Sequence, residues 1–419
     1  VKWGQYLISQ SGEMPLTKKT SKHNYYALLW HALFLSLAKN FMDVDTIIPA
    51  MVIDAGGTSV HIGLLTAIML GGSHLSQLFF APFINNQPMK KGCLLLGINA
   101  RIFALACLAL LFFLSSWITG SFLIVTILLL ISVFSISGGF ANIGYTDILG
   151  KSVLPESRKS FFSVKQAIVS AGFFASAYFA SRVLTLKPYP DNYAFLFVIA
   201  TMMLTIASAG FWRLKETRIS KQEIYKYKNF SHIILREIRA NKKLAYYLLV
   251  SNTQGVSLAL MPFLILYAKD VLNATGSDVG NYLIFKVIGG VIVSALLFYH
   301  SKKVKYQHLL YFTSILAFII PLFVLILPGH FFLSLSFLVG GIVFTLHTIA
   351  VSGVLLEVST NENRALYTGI VGAGSVLPVV FPLISSWVIN HFGFSIFFIL
   401  FMLIISSSFY FIFKLDCKA

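Results

Sequence analysis

Apolar residues run along the chain in stretches of about twenty, each long enough to cross a hydrocarbon core of roughly 30 Å as a helix. Short polar segments separate them. The pattern predicts about twelve helices, over residues 25–53, 60–83, 92–117, 121–149, 160–183, 193–212, 244–268, 279–300, 309–327, 331–358, 365–389 and 394–413. The ninth is short, and the tenth carries the pair Gly340 and Gly341, where it could divide. The longest polar segment separates six helices from six. The predicted organisation is a tail over 1–24, a six-helix bundle over 25–212, a linker over 213–243, a second bundle over 244–413 and a tail over 414–419.

Composition makes the class definite. With 57% hydrophobic and 11% charged residues, a soluble domain of 419 residues could not hide its apolar surface. The expected fold class is an all-α integral membrane protein. Its net charge of +17 would suit a nucleic-acid binder, but the basic residues fall on one set of alternating loops. They include Lys18, Lys19 and Lys22 before the first helix, then Lys90, Lys91, Lys151, Arg158, Lys159, Lys302, Lys303, Lys305 and Arg364. The opposite loops offer only Arg182, Lys187 and Lys269. That asymmetry orients the helices with both termini in the cytoplasm and accounts for the charge without nucleic acid. The composition fits a bacterial inner membrane.

Residues 1–25 are polar and contain no cleavable signal pattern, so the first helix is expected to insert itself. Cys93, Cys107 and Cys417 show no paired spacing, which points to neither disulfides nor a metal site. No run for a catalytic centre or for ATP binding is present. The chain reads as no enzyme, needs no cofactor, and any pumping must draw on an ion or solute gradient.

The two halves repeat. Pro49 in the first helix corresponds to Pro262 in the seventh; Gly63, Gly71 and Gly72 in the second correspond to Gly280, Gly289 and Gly290 in the eighth. The offsets are all about 213 to 218 residues. "DILGKSVLPESR" closes the fourth helix and "EVSTNENR" the tenth, each an acid followed by a polar turn and an arginine.

Duplicated six-helix halves, a basic middle loop and inward termini resemble the major facilitator superfamily of secondary transporters. The resemblance covers the whole chain and implies two bundles that hold solute between them and rock to alternate access. The loop "APFINNQPMKK" is similar to the family's conserved loop between helices two and three, with Asn85 in place of the Asp, Pro88 in place of the second Gly, and Lys90 and Lys91 keeping the charge. The resemblance implies a latch formed by Asn85, Lys90, Lys91, Asp147, Arg158, Glu357 and Arg364. The fifth helix lacks the Gly-Pro of drug–proton antiporters and the fourth lacks the family's mid-membrane Arg, whereas "DVDTIIP" resembles the first-helix motif of certain drug exporters.

Charges inside the apolar runs are the candidate chemistry, since each costs on the order of 3 kcal/mol at the bilayer centre. Lys39 and Asp43 are four residues apart on one helix face and are expected to pair. Asp54, three turns on, returns to that face, while Asp45 lies about 200° from Asp43, so a straight helix aims it elsewhere. A polar stripe of Lys39, Asn40, Asp43 and Asp54 would line a pathway, with Asp43 as a proton or ion coupling site. Lys286 in the eighth helix is the candidate for solute. Arg101 would brace the first half through Asp45, and Lys165 would snorkel to the cytoplasm.

Uncharged polar positions add Asn142 and Tyr145, on a stripe with Gly138, and Asn252, Thr253 and Gln254, at the level that Lys39 and Asn40 hold in the first half. Of the single histidines His74 and His347, His347 joins the binding set. In the linker, Phe230, Ile233, Ile234 and Ile238 alternate with Arg236, Arg239, Lys242 and Lys243 at helical spacing, as an amphipathic helix on the inner leaflet would.

The expected function is a secondary active transporter moving a small anionic or zwitterionic solute by alternating access, coupled to protons through Asp43. The alternative is multidrug or lipophilic-cation efflux by proton antiport, with Asp43 and Asp45 as cation-binding acids. The expected partners are the solute, the lipid bilayer and protons or another coupling ion, with the chain acting as a monomer.

Overall fold

A computed structural model describes residues 16–115, 117–118, 120–217, 236–300, 304–359 and 364–415. Most of the expected amphipathic helix of the linker lies outside them. The described chain is helical, without strands, and nine of its helices are long and apolar enough to cross a membrane.

Pass 1 is not one helix. It comprises α1 (Lys18–Lys39), a 3-10 turn (Asn40–Met42), an extended residue at Asp43 and α2 (Ile47–Asp54). Passes 2 to 6 are α3 (Ser59–Asn85), α4 (Lys91–Phe113), α5 (Ser121–Ser152), α6 (Pro155–Leu186) and α7 (Asp191–Arg213). Pass 7 repeats the interruption, with α8 (Lys242–Gly255), a 3-10 turn (Val256–Ala259) and α9 (Leu260–Leu272). Passes 8 to 10 are α10 (Gly276–His300), α11 (Tyr306–Ile326) and α12 (His330–Val358). The remaining two run through α13 (Arg364–Gly374) and α14 (Leu377–Leu415), with the turn between them at Gly393, whose φ of 79° suits glycine.

The repeated prolines now have a physical role. Pro49 is the third residue of α2 and Pro262 the third of α9. The first turn of a helix leaves N–H groups unused in any case, so proline is tolerated there and favours the restart. Three sequence expectations are corrected by these breaks: passes 1, 7 and 11 were expected to be continuous. Pass 10 runs unbroken through Gly340 and Gly341, as one helix.

Those glycines serve packing instead. A Cβ on Gly341 would strike the carbonyl of Lys286, and one on Gly289 the carbonyl of Leu338, so α10 and α12 cross with their backbones in contact. In the first half, Gly72 lies against Ser135, whose hydroxyl donates to Ile68 O at 2.9 Å. Both halves therefore cross their second and fourth passes at repeated glycines, Gly72 in the first half and Gly289 with Gly290 in the second.

The halves join through small residues. Gly63 of α3 packs on Ser386 and Pro382 of α14, and Gly276 and Gly280 of α10 pack on Leu184 and Ser181 of α6. A single apolar core runs across both halves here, from Ile47 and Ile62 to Leu264, Phe381 and Phe397. At the end that carries the basic loops the cores are separate. Leu28, Leu94, Ile148 and Phe211 form one, and Leu244, Leu310, Val354 and Ile412 the other. The two bundles are closed on each other at the end opposite the basic loops and divided at the basic end.

Candidate functional site: a lysine shared by two aspartates

The break in pass 1 builds the site. Asp43 Oδ1 accepts hydrogen bonds from the Asp45 amide (3.0 Å) and the Thr46 hydroxyl (2.8 Å), and the Asp43 carbonyl accepts from the Ile48 amide (3.0 Å). These bonds satisfy donors at the start of α2, much as an N-cap does. With the chain unwound over 43–46, the helical 200° separation no longer applies. Both carboxylates turn toward Lys286 of α10, whose Nζ lies 2.7 Å and 3.0 Å from the Asp43 oxygens and 2.5 Å from Asp45 Oδ2. Asp43 is 6% exposed and Asp45 8%, so this is a buried cluster joining the two halves.

Lys39 does not pair with Asp43, contrary to the helical spacing. Its ammonium sits 5.1 Å from the centre of the Phe173 ring, and its side chain is exposed along the wall of a cavity of about 240 Å³. Arg101 does not brace Asp45 either. It crosses α5 at Gly138, where a Cβ would stand 3.2 Å from its Cζ, and lies 4.1 Å from the centre of the Phe134 ring. Among the described residues its buried Nε has no hydrogen-bond partner. The cavity brings together Lys39, Asn40, Asp43, Asp45, Arg101 and Lys286.

Three amides from the sequence reading are taken up in holding helices together. Asn40 donates to Phe173 O (2.7 Å) and Ser176 Oγ (3.0 Å) of α6. Its counterpart Asn252 donates to Gly374 O (2.8 Å) and accepts from the Leu377 amide (2.9 Å), spanning the break in pass 11. Pass 1 is thus tied to pass 5, and pass 7 to pass 11, by equivalent asparagines. Gln254 donates to Leu310 O and Ser314 Oγ, both at 2.8 Å, and accepts from or donates to no cavity group; its Oε1 is 3.1 Å from His347 Nδ1. Gln254 and His347 belong to the interior of the second half, away from the cavity.

Asn142 is exposed and does not line the cavity. Tyr145 receives a hydrogen bond at 3.1 Å from Lys165, which bridges α5 and α6. Asp54 does lie at the opposite mouth, where Lys269 Nζ is 2.7 Å from Oδ1 and the Tyr193 hydroxyl 2.6 Å from Oδ2. A depression of about 530 Å³ above this pair is floored by it and does not reach the central cavity.

Of the expected latch, Lys90 pairs with Asp147 at 3.3 Å, and Lys151, outside that set, pairs with the same carboxylate at 2.8 Å. Arg158 instead donates to the carbonyls of Gly150 and Val153, closing the end of α5. The side chains of Asn85 and Arg364 lie outside the described residues. The acid that organises the cluster is Glu216, which the sequence reading missed. Its oxygens accept from the amides of Lys90 (2.9 Å) and Lys91 (2.7 Å) and pair with Lys151 (2.6 Å), while Lys91 Nζ donates to Trp212 O and Leu214 O. An acid inside a basic linker was the available signal.

The sequence reading also missed Gln166, Ser170 and Phe173, which face the cavity from α6. Their spacing of three and four residues marks one helix face.

No protein-family model matches the sequence, and no curated protein matches it. Solved structures match over nearly the whole chain. The nucleoside transporter NupG aligns at 15% identity and a TM-score of 0.68, covering 94% of this chain and 98% of that one. A POT family transporter in complex with 5-aminolevulinic acid aligns at 12% identity and 0.66, covering 94% and 96%. A D-xylose–proton symporter aligns at 13% and 0.66, covering 94% and 99%. The chain has the fold of the major facilitator superfamily.

Proposed function

We propose that the protein is a secondary transporter that moves a small anionic or zwitterionic solute across the membrane by alternating access, with proton coupling at Asp43 and Asp45. The observation that carries this reading is Lys286, which belongs to one half and is shared by two buried carboxylates of the other. Separating a buried ion pair without replacing either partner costs several kcal/mol. When the halves rock apart at this level, Lys286 needs another anion and the aspartates need a cation or a proton. A solute carboxylate can satisfy the first and a proton the second, so movement is tied to exchange of ligands.

The remaining geometry supports the same cycle. The cavity lies beside the cluster, the cores of the two halves are separate at the basic end, and Asp54 with Lys269 closes the opposite one. With the basic loops facing the cytoplasm, this is an inward-open arrangement. The structural neighbours include transporters of nucleosides and of D-xylose with protons, by their names. Lipophilic-cation efflux would need a carboxylate free to meet the drug, and here both are engaged by Lys286.

The test is flux in proteoliposomes with labelled small anions and zwitterions under an imposed pH gradient. Transport that collapses in Lys286→Gln, and that loses its response to the gradient in Asp43→Asn, is the expected result. Unimpaired flux in both variants, or accumulation of lipophilic cations alone, overturns the proposal.

A further inference from the structure

The cavity lining holds three cations, Lys39, Arg101 and Lys286, against two carboxylates, Asp43 and Asp45. Lys286 spends its charge on both aspartates, which leaves Lys39 and Arg101 with no acidic partner among the described residues. Each instead rests on an aromatic face, Phe173 for Lys39 and Phe134 for Arg101. Cation–π contact is worth about 0.5–2 kcal/mol, less than a buried guanidinium needs to offset its desolvation, while the Lys39 ammonium stands exposed on the cavity wall. Arg101 in addition keeps a buried N–H without an acceptor among the described residues. Arg101 and Lys39 both line the cavity, and cations without an acidic partner there suit an acceptor of opposite sign.

The other walls decide the body of the ligand. Met42, Met69, Val169, Val287, Val291 and Phe344 line the space, with Gln166, Ser170, Ser294 and Thr345 as scattered polar groups. A sugar or nucleoside would leave most of its hydroxyls facing these apolar side chains.

We propose that the ligand of this cavity is a small organic monoanion, a carboxylate on an apolar or aromatic body, with its oxygens seated between Lys39 and Arg101. This deepens the transport reading and chooses between its two solute classes. A zwitterion would leave the excess positive charge in place, whereas one carboxylate neutralises it. Gly138 favours this arrangement, because a Cβ there would stand 3.2 Å from the Arg101 Cζ and oblige the guanidinium to shift. Seating beside Phe134 and Phe173 replaces part of the cation–π contact with a charge-assisted pair. The same rings then cover the ligand's body.

The experiment measures the melting midpoint of the purified full chain in detergent, at constant ionic strength, with benzoate and hexanoate as probes. Benzamide is the uncharged isostere of benzoate, and acetate supplies the carboxylate without the body. Benzoate or hexanoate should raise the midpoint, and benzamide and acetate should not. Arg101→Gln and Lys39→Gln should each weaken the carboxylate response roughly tenfold to a hundredfold in concentration, the range for loss of a charge-assisted bond. Ser170→Asp places a tethered carboxylate in the cavity; it should raise the midpoint without ligand and abolish the benzoate response.

A benzoate response unchanged in both cation variants overturns the proposal. So does the absence of any response to either carboxylate, or a lowered midpoint in Ser170→Asp. Its failure is distinguishable from failure of the transport reading. A carboxylate response without flux of any carboxylate removes transport and keeps the seat, and flux of a solute by a protein indifferent to carboxylates does the reverse.

Discussion

Lys269 of the second half and Asp54 of the first form an ion pair of 2.7 Å at the end of the bundle opposite the basic loops. The Tyr193 hydroxyl, 2.6 Å from the second Asp54 oxygen, holds the carboxylate in place. The pair is partly exposed, at 12% and 21% of its side-chain surfaces, so its strength is at the upper end for surface bridges, about 1 kcal/mol. It ties pass 1 to pass 7 only while this end is closed. Asp54→Asn should therefore raise the population open at this end roughly fivefold. Maleimide labelling of Ser181→Cys, which is buried against Gly280 of the other half while this end is closed, in a chain whose own cysteines are replaced, measures that population. A labelling rate unchanged by Asp54→Asn would remove the pair's gating role.

Removing Lys286 leaves two carboxylates facing each other without a cation. Lys286→Ala should lower stability by about 3–5 kcal/mol, the cost of breaking a buried pair from one side. The triple variant Lys286→Ala, Asp43→Asn, Asp45→Asn should recover much of that loss, because nothing charged remains to be stranded. Thermal melting of the single and triple variants tests the difference. A triple variant as unstable as the single one would mean that shape, not charge, carries the effect.

Asp43 has a second task that Asp45 lacks, since its Oδ1 accepts from the Asp45 amide and the Thr46 hydroxyl at the start of α2. Asparagine keeps that acceptor and alanine does not. Asp43→Ala should accordingly be less stable than Asp43→Asn by about 1 kcal/mol, the usual worth of a cap. Denaturation of both variants gives the comparison, with equal midpoints as the contrary result.

Asn252 bridges the break between α13 and α14 with two bonds, to Gly374 O and from the Leu377 amide. Truncation to alanine strands both backbone groups in a partly buried place. We expect a loss of about 1–3 kcal/mol and faster hydrogen exchange at the Leu377 amide. Exchange followed by mass spectrometry would show it, and protection equal to that of the unmodified chain would contradict the bridging role.

Glu216 is fully buried by its side chain and accepts from two amides while pairing with Lys151. Glu216→Ala should cost about 1–3 kcal/mol through the stranded amides of Lys90 and Lys91, since Lys151 keeps its pair with Asp147. Glu216→Gln, which keeps an acceptor for one amide, should cost less. Melting curves of the two proteins settle the order.

Much of the architecture was legible because lipid imposes one requirement on every residue of a pass. Apolar runs of sufficient length and the placement of lysines on alternating loops are local properties, so they can be read without knowing any contact. The repeated prolines and glycines were likewise visible, as spacing, before their uses were known. The pairing of charges was not. Lys39 and Asp43 stand at a helical interval, and the expectation that they meet assumed that the helix continues. Asp43 itself ends it, by offering its side chain to the backbone of the next helix.

The sequence alone determined the membrane class, the six-and-six division of apolar runs and the set of ionisable groups that had to be accommodated among them, because each follows from the cost of exposing polar groups to lipid. Only the tertiary structure decided the partners. Lys286 lies hundreds of residues from Asp43 and Asp45, and their contact depends on an unwound turn, on glycine crossings that bring α10 against α12, and on how two bundles close. These are choices among distant surfaces of similar composition, where no local preference distinguishes one cation from another and packing geometry makes the selection.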